Sequence, residues 1–131
     1  MRSVVLDSGA LIAVERADRK LTELVATSAL SGATIVVPAG VVAEVWRAAS
    51  RSQARIAKLL KLVDAVPALD VVVGKRVGVL LARAKSASVV DGSVVDAALR
   101  YQPALIITSD PKDFRTLLAG IRIGEIAIHE L

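Results

Sequence analysis

The sequence predicts a three-layer α/β fold, in which a mostly parallel sheet of five strands is flanked by helices on both faces. Hydrophobic residues make up 54% of the 131 residues and aromatic residues only 2%, so the core must be packed from aliphatic side chains, as in buried parallel sheets. Short β-branched runs alternate with longer stretches of helical period, which is typical of right-handed β–α–β crossovers. The length fits one domain over residues 1–131.

The strand predictions are five short runs bounded by polar or turn residues, at 4–6, 35–37, 71–73, 105–108 and 125–129. The last run alternates and is predicted as a terminal edge strand. Apolar residues recur at helical spacing in the stretches between the runs. The strand order does not follow from these patterns alone. An order of 3-2-1-4-5 would make the first and fourth strands neighbours at the switch point of the sheet.

Composition excludes several function classes. The chain has no cysteine and one histidine, His129, so disulfides and the usual zinc ligand sets are excluded and oxygen ligands remain. We expect His129 to be structural or on the surface. The formal net charge of +4 favours polyanionic partners. No apolar run approaches the about 20 residues that span a bilayer, and the N-terminus lacks a signal-peptide pattern, so we expect no membrane and a cytoplasmic location.

Two aspartates directly follow predicted strands. Asp7 follows the first strand and Asp110 follows the fourth. If these strands are neighbours, both carboxylates project into one crevice at the carboxyl edge of the sheet, where they repel each other unless a cation or a shared proton compensates. The alternative for each is a helix cap, and Asp110 is followed by Pro111, a favoured first helical residue. Capping and metal binding can coexist in one residue.

Asp91 belongs to the same helical face as Val94 and Val95, so it is predicted to point toward the core near its helix start. A charged carboxylate in that position needs a partner. Asp96 falls on the other side of the helix, four residues before Arg100, where we expect an exposed ion pair.

Glu44 lies at the margin of the face formed by Val41 and Val45. Its alternative role is a border residue paired with Arg47 or Arg51. Hard divalent ions such as Mg²⁺ and Mn²⁺ prefer carboxylate and water oxygens, and a cluster of such acids leaves coordination positions open for phosphate. The sequence therefore predicts a divalent-metal site formed by Asp7, Glu44, Asp91 and Asp110.

Four segments of the sequence resemble the PIN-domain ribonucleases, and most closely the VapC-type toxins of bacterial toxin–antitoxin pairs. They are residues 4–11, 42–45, 90–95 and 108–114, which appear in the family's order and spacing. The resemblance implies a five-stranded sheet of order 3-2-1-4-5. Gly92 departs from the alanine that many relatives carry after the third acid, and glycine weakens a helix start by up to about 1 kcal/mol.

The resemblance also implies an activity and a set of site residues. A metal-dependent endoribonuclease would hold Mg²⁺ or Mn²⁺ and cut RNA, commonly tRNA or ribosomal RNA. It would form a homodimer and be silenced by a cognate antitoxin that covers the active-site groove. The catalytic and metal-binding acids carried over from the family are Asp7, Glu44, Asp91 and Asp110. The supporting groups are Ser8, Thr108 and Asp113.

Contacts to RNA are predicted from charge and aromatic residues. Four basic residues at steps of four, four and three would line one helical face, unless a break near residues 50–52 divides it; they are Arg47, Arg51, Arg55 and Lys58. The alternative is a solvated face. A second basic group consists of Lys75, Arg76, Arg83 and Lys85. The aromatic residues available to stack bases are Trp46, Tyr101 and Phe114, each of which is also a candidate for core or interface.

Two other functions compete with a nuclease. A catalytically inactive PIN-like module would bind RNA or a protein partner without cutting, but it would have little reason to keep repulsive carboxylates. A phosphoacceptor receiver domain or an aspartate-nucleophile phosphatase would also use acids after strands. Receivers need a lysine after the last strand, which is absent, and such phosphatases need a second aspartate where Gly9 stands.

Overall fold

The computed structural model describes residues 2–48, 51–86, 88–121 and 124–131. In these ranges the strands form one parallel sheet in the order β2-β1-β3-β4. The strands are β1 (Ser3–Leu6), β2 (Thr34–Val36), β3 (Ala104–Thr108) and β4 (Ile126–Glu130). The prediction of a parallel α/β sheet is therefore confirmed, and the first strand indeed pairs with the strand that precedes Asp110.

Helices connect the strands and cover the sheet. They are α1 (Ser8–Glu15), α2 (Arg19–Leu30), α3 (Ala39–Val45), α4 (Gln53–Leu60), α5 (Val71–Ala84), α6 (Val89–Arg100) and α7 (Pro111–Leu118). Within the described ranges, none of these helices combines the length and apolar character required to cross a membrane. The core is aliphatic apart from Phe114, and all four residues of β1 are buried.

The prediction of a third strand at residues 71–73, and with it the count of five strands, is wrong, because this run forms the first turn of α5. The Asp70 carboxylate caps the helix by accepting a hydrogen bond from the Val73 N–H at 2.9 Å. Val73 and Val77 are buried at helical spacing, whereas Val71 and Val72 are 73% and 62% exposed. This β-branched run is therefore helical, because Asp70 caps the helix before it and Val73 and Val77 on one face of the helix are buried.

The outer edge of β2 is nonetheless covered by the segment at residues 64–67. The Asp64 carboxylate accepts a hydrogen bond from the Ile35 N–H at 2.8 Å, and Ala65 forms an isolated parallel bridge with Val36. The Pro67 carbonyl accepts a hydrogen bond from the Ala39 N–H at 3.0 Å. A segment does occupy the edge that the predicted order of 3-2-1-4-5 assigned to a third strand, but it makes a bridge instead of a ladder.

Gly92 is explained by the close packing of α6 on α5. A Cβ at this position would lie 2.7 Å from Val77 Cγ1 and 3.2 Å from Leu81 Cδ2. Helices approach more closely where one of them carries no side chain. The glycine thus sets the distance between α5 and the first turn of α6, which also carries Asp91.

Candidate active site

Asp7 lies at the end of β1 and is 6% exposed. Its carboxylate caps α1 by accepting a hydrogen bond from the Ala10 N–H at 2.8 Å. Burial raises the pKa of Asp7, and the nearby charge of Asp91 raises it further, while hydrogen bonds from the Thr108 side chain and the backbone of α1 lower it. Asp7 is therefore both the helix cap and a carboxylate under electrostatic strain.

Thr108 connects the ends of the two central strands. Its side chain is fully buried at the end of β3. The hydroxyl donates a hydrogen bond to the Asp7 carboxylate and accepts one from the Asp110 N–H at 2.8 Å. The predicted supporting residue thus fixes the orientation of the acid after β1 and the backbone of the acid after β3.

Asp91 is half-buried in the first turn of α6, and its electrostatic neighbours come from two other helices. Burial is the main cause that raises the pKa of Asp91, and the charges of Asp113, Glu44 and Asp110 add to the rise. A hydrogen bond with the Ser88 side chain lowers it. Asp91 therefore interacts electrostatically with the other three acids predicted as ligands, which are Asp7, Glu44 and Asp110.

Asp110 and Asp113 form an exposed pair at the start of α7. Asp110 occupies the N-cap position, but its side chain makes no capping hydrogen bond. A hydrogen bond with Asp110 and the charge of that residue raise the pKa of Asp113, because a carboxyl group can donate to a carboxylate only when it is protonated. The side chain of Asp110 is thus engaged with another acid rather than with the helix end.

Glu44 is exposed near the end of α3. Its alternative role, an ion pair with Arg47 or Arg51, is not observed, since both ion pairs found among the described residues involve Asp96. The Arg47 guanidinium instead donates from Nη1 to the carbonyl oxygens of Trp46 and Ala43 at 2.8 and 3.4 Å. The charge of Glu44 therefore acts on Asp91, and Glu44 has no ion-pair partner in the described part of the chain.

Ser8 and Gly9 form the turn next to Asp7. The Ser8 hydroxyl is a buried side-chain oxygen without a hydrogen-bond partner among the described residues. A Cβ on Gly9 would lie 3.1 Å from Ser109 Cβ and 3.3 Å from Ser109 N, so the glycine lets the first turn of α1 pack closely against the segment after β3. The turn thereby brings an unpaired hydroxyl and two strand ends to the same edge of the sheet.

The acids share this edge, but their side chains do not converge on one point. In residues 2–48, 51–86, 88–121 and 124–131, no three acidic or histidine side chains converge closely enough to form a complete metal-binding group. The structure does bring together a set of carboxylates at the starts of α1 and α7 and on α3 and α6, and their negative charges repel each other. Carboxylate oxygens are ligands for hard divalent cations, so the donor chemistry fits Mg²⁺ or Mn²⁺.

Residues 4–117 match the family described as PIN domain, which covers most of the chain. The chain belongs to the PIN domain family. This confirms the family expected from the four short motifs. Among curated proteins, none matches the chain.

Solved structures show the same fold. VapBC2 from Rickettsia felis, bound to a DNA fragment from its promoter, has a chain that matches with a TM-score of 0.67 and 13% identity, covering 98% of both chains. DNA-bound VapBC from Salmonella typhimurium matches with a TM-score of 0.66 and 16% identity, covering 99% of this chain and 98% of the other. FitAB bound to an IR36 DNA fragment matches with a TM-score of 0.65 and 15% identity, covering 97% and 94%.

The prediction for Asp96 in this PIN domain is wrong in one respect. Asp96 does pair with Arg100, at 3.0 Å, but the Asp96 side chain is 3% exposed, so the acid of the ion pair is buried while the Arg100 side chain is 36% exposed. Arg76 of α5 covers the carboxylate from the other side, with Nε 2.7 Å from Oδ1. Asp96 therefore joins α5 to α6, whereas Asp91 on the same helix faces the acidic cluster.

The prediction that four basic residues line one continuous helical face is also wrong. Helix α3 ends at Val45 and α4 begins at Gln53, so Arg47 and Arg51 lie outside both helices. Arg55 is on α4, where its guanidinium donates to the Glu15 carbonyl at 2.7 Å, and Lys58 is exposed one turn later. The predicted break near residues 50–52 does occur, although residues 49–50 lie outside the described ranges.

Two residues that sequence reasoning missed help to shape the site. The Ser88 hydroxyl accepts a hydrogen bond from the Asp91 N–H at 3.2 Å and caps α6. A serine three residues before an acid is a known signal of a helix start. Gln53 is 4% exposed and anchors the end of α3, and no local sequence pattern marks it.

His129 is exposed on β4, in agreement with a surface role.

Proposed function

We propose that this PIN domain is a metal-dependent endoribonuclease and the toxin of a toxin–antitoxin pair. The observation that carries the proposal is the mutual repulsion of carboxylates at the carboxyl edge of the sheet, from the residues that precede α1 and α7 and from α3 and α6. Asp7 and Asp91 are buried enough for their pKa to be raised, and Glu44 and Asp110 add further negative charge. Such a set is costly to maintain unless a cation neutralises it.

The residues present fit a hard divalent cation. Asp7, Glu44, Asp91 and Asp110 would hold the ion, and Ser8, Thr108 and Asp113 would support it. The donors are all oxygens, and the buried Ser8 hydroxyl has no hydrogen-bond partner among the described residues. When bound, Mg²⁺ or Mn²⁺ supplies Lewis-acid stabilisation of charge on phosphoryl oxygens and makes water more acidic.

The chain itself contributes orientation and positive potential. The Thr108 hydroxyl holds the Asp7 carboxylate, and the Ser88 hydroxyl holds the first turn that carries Asp91. The N-termini of α1, α6 and α7 all begin beside the acids. Helix N-termini present free N–H groups and a partial positive charge, so they favour a phosphate at this edge. These groups would position a phosphodiester bond next to the acids.

Family membership supports a nuclease, and RNA as the substrate follows from the resemblance to VapC-type toxins. The net charge of +4 is compatible with a polyanionic substrate. The neighbouring VapBC and FitAB structures are complexes by their own description, which supports an antitoxin as partner. A homodimer remains part of the proposal, and the exposed Val71, Val72 and Val79 of α5 offer an apolar surface for protein contacts.

The direct test is cleavage of total RNA by the purified protein, with mapped ends, in Mg²⁺ or Mn²⁺. We expect cleavage that stops in excess EDTA and that falls at least about 100-fold in Asp7→Asn and Asp91→Asn, as when one preorganised electrostatic group is removed. Glu23→Gln, an exposed change on α2, is the matched control and should cleave normally. Full activity in EDTA, or in both aspartate variants, would reject the proposal.

The alternative is an inactive PIN-like module that binds RNA or protein without cutting. Calorimetry distinguishes the two, because a binding module would take up the metal or RNA with no product formed. Co-expression with a protein encoded next to the toxin tests the partner. A 1:1 or 2:2 complex in which RNA cleavage is lost is the expected result. A complex that cleaves as fast as the free chain contradicts the antitoxin assignment.

A further inference from the structure

Strand β4 forms an open edge of the sheet. It pairs with β3 on one side, and no other strand of the described ranges pairs with it. The opposite edge differs, because residues 64–67 cover β2. An open edge can pair with another chain, and proteins usually protect it with lysine, proline or a covering segment. The strand Ile126–Glu130 contains neither lysine nor proline, so this edge is suited to strand addition.

The hydrogen bonds to β3 show which backbone groups of β4 are free. The Ala104 N–H donates to the Glu125 carbonyl at 2.8 Å, and the Leu131 N–H donates to the Thr108 carbonyl at 2.9 Å. Alternate residues of a strand direct both backbone groups to the same side, so the odd-numbered residues from 125 to 131 face β3. The residues whose N–H and C=O groups point away from the sheet, without a strand partner in the described ranges, are Ile126, Ile128 and Glu130.

The helices beside β4 leave this edge accessible on both faces of the sheet. On one face, a groove of 330 Å³ is lined by Arg115 and Leu118 of α7 and by Ile126 and Ile128. On the other face, a groove of 620 Å³ lies between α2 and the end of β4, where His129 lines it. These grooves leave room for the side chains of an added strand.

The free backbone groups form a self-complementary set. In an antiparallel pairing with a second copy of this chain, Ile128 can lie opposite Ile128 of the second copy. Ile126 then lies opposite Glu130 of the second copy, and the two-fold axis repeats this pair on the other side. Opposite residues of this kind exchange both backbone hydrogen bonds. This register therefore pairs every free N–H and C=O group of the strand.

The same register joins complementary side chains. Glu130 of the second copy lies opposite Ile126, which lines the same groove as Arg115. Arg115 and Glu130 are exposed, and neither takes part in the two ion pairs of the described residues. On the other face of the sheet, the small Ala127 lies opposite the larger His129 of the second copy. Charge and size thus both favour a second copy as the occupant of this edge.

We propose that two copies of the chain pair through β4 in an antiparallel register centred on Ile128, which joins their sheets into one. This inference rests on the homodimer included in the proposed function and names its surface. Because the two β4 strands run in opposite directions, the acids of the two copies lie at opposite edges of the joined sheet. The two active sites therefore face away from each other.

Cysteine cross-linking tests the register. The chain has no cysteine, so a single introduced cysteine can form a disulfide only between copies. Opposite Cα atoms of a hydrogen-bonded antiparallel pair lie about 5.5 Å apart, within disulfide range, so Ile128→Cys should form a covalent dimer on mild oxidation. In Ala127→Cys, the matched control, the two cysteines lie on a diagonal at about 7–8 Å and should not cross-link. Adding His129→Cys to Ala127→Cys places cysteines opposite each other and should produce the cross-link. Absence of the Ile128→Cys dimer, or equal cross-linking of both single variants, would overturn the proposal.

Sedimentation over a range of protein concentrations tests the backbone pairing. The Ile128 N–H points away from β3, so Ile128→Pro removes a hydrogen bond to the second copy and none within the sheet. The symmetry repeats this loss, and we expect the Kd of the dimer to rise about 10- to 100-fold. Ile128→Val, the matched control, keeps the N–H and should dimerise like the wild type.

Charge reversal tests the ion pair between copies. Arg115→Glu places like charges next to each other and should raise the Kd of the dimer about 2- to 10-fold, since the pair occurs twice. Glu130→Arg in the same chain should restore the wild-type Kd. A double variant that is weaker than either single variant would contradict this register.

The outcomes separate this inference from the proposed function. A dimer that Ile128→Pro leaves intact would overturn pairing through β4 and leave the homodimer standing on another surface, such as the exposed valines of α5. A wild-type protein that stays monomeric at every concentration would overturn both. If Ile128→Pro fails to fold, the cross-linking pattern still decides the proposal. RNA cleavage, measured separately, decides the nuclease function.

Discussion

The Thr108 hydroxyl donates a hydrogen bond to the Asp7 carboxylate across the two central strands. The same oxygen accepts the Asp110 N–H, so a fully buried side chain joins two of the proposed metal ligands. Asp7 and Thr108 are about 100 residues apart in the sequence. Parallel pairing of β1 with β3 brings them together, and several consequences of this arrangement can be measured.

Removal of this hydroxyl should weaken the site without unfolding it. In Thr108→Val the Asp7 carboxylate loses a donor that favours its charged form, so the pKa of Asp7 should rise further. We expect metal affinity or cleavage to fall by about 10- to 100-fold, the usual effect of losing a residue that orients a ligand. The acidic limb of the cleavage pH profile should move to higher pH. Thr116→Val, an exposed threonine of α7, is the control, and equal effects of both changes would contradict the prediction.

The raised pKa values of Asp7 and Asp91 make the metal-free fold sensitive to pH. The pKa of each group is higher in the folded protein than its ordinary value of 3.8, so the folded state binds the proton more tightly than the unfolded state does. The stability that comes from this tighter proton binding is fully present below pH 3.8. It is lost as the pH rises through the folded-state pKa. Urea unfolding in EDTA should therefore show that Asp91→Asn flattens this fall and is more stable than wild type at neutral pH. A steeper fall in the variant would show that the sign is wrong.

A divalent ion should reverse the same loss of stability. An ion that binds only the folded state raises the free energy of unfolding by about 2.7 kcal/mol at a concentration 100 times its Kd. We expect Mg²⁺ or Mn²⁺ to raise the melting temperature of the wild-type protein at neutral pH and to have little effect on Asp91→Asn. Equal shifts in both proteins would mean that the ion binds elsewhere.

Asp96 should matter for stability. Its buried carboxylate accepts hydrogen bonds from Arg76, and Arg100 pairs with it. Both arginines are partly exposed and can turn to solvent, so Asp96→Asn should cost about 1–3 kcal/mol, as for the loss of hydrogen bonds to a charged group. Arg76→Gln should cost less, since Arg100 remains. Urea unfolding measures both changes, and a neutral Asp96→Asn would contradict the prediction.

Two glycines should respond to alanine in opposite ways. Gly92→Ala places a methyl group 2.7 Å from Val77 Cγ1, and overpacking of this kind costs about 1–3 kcal/mol, more than the about 1 kcal/mol gained from helix propensity. Gly78 has open space around it on α5, so Gly78→Ala should stabilise by about 0.5–1 kcal/mol. Thermal unfolding compares the two. Adding Val77→Ala should relieve part of the cost at Gly92.

Much of the fold follows from local patterns. The runs at 4–6, 35–37, 105–108 and 125–129 lie within one residue of the observed strands, because short aliphatic runs bounded by polar residues are typical of the strands of a parallel sheet. The position of Asp7 and Asp110 at the strand ends follows from the same pattern. The run at 71–73 is the exception, because a β-branched triplet has no period of its own and fits a strand or a helix. Asp70 before it was the available signal of a helix.

By itself, the sequence determined the class of fold, the strand ends that carry the acids, and a donor set made only of oxygen. These are local properties, since the period of apolar residues and the type of side chain do not depend on distant partners. The tertiary structure decided that Asp96 is paired with arginines and that Asp91 lies next to other acids. Asp96 is buried with Arg76, twenty residues earlier, paired to it, and the basic face is divided because α3 ends at Val45 and α4 begins only at Gln53. The burial of a polar group depends on partners that are distant in sequence, and these contacts exist only once the helices have packed.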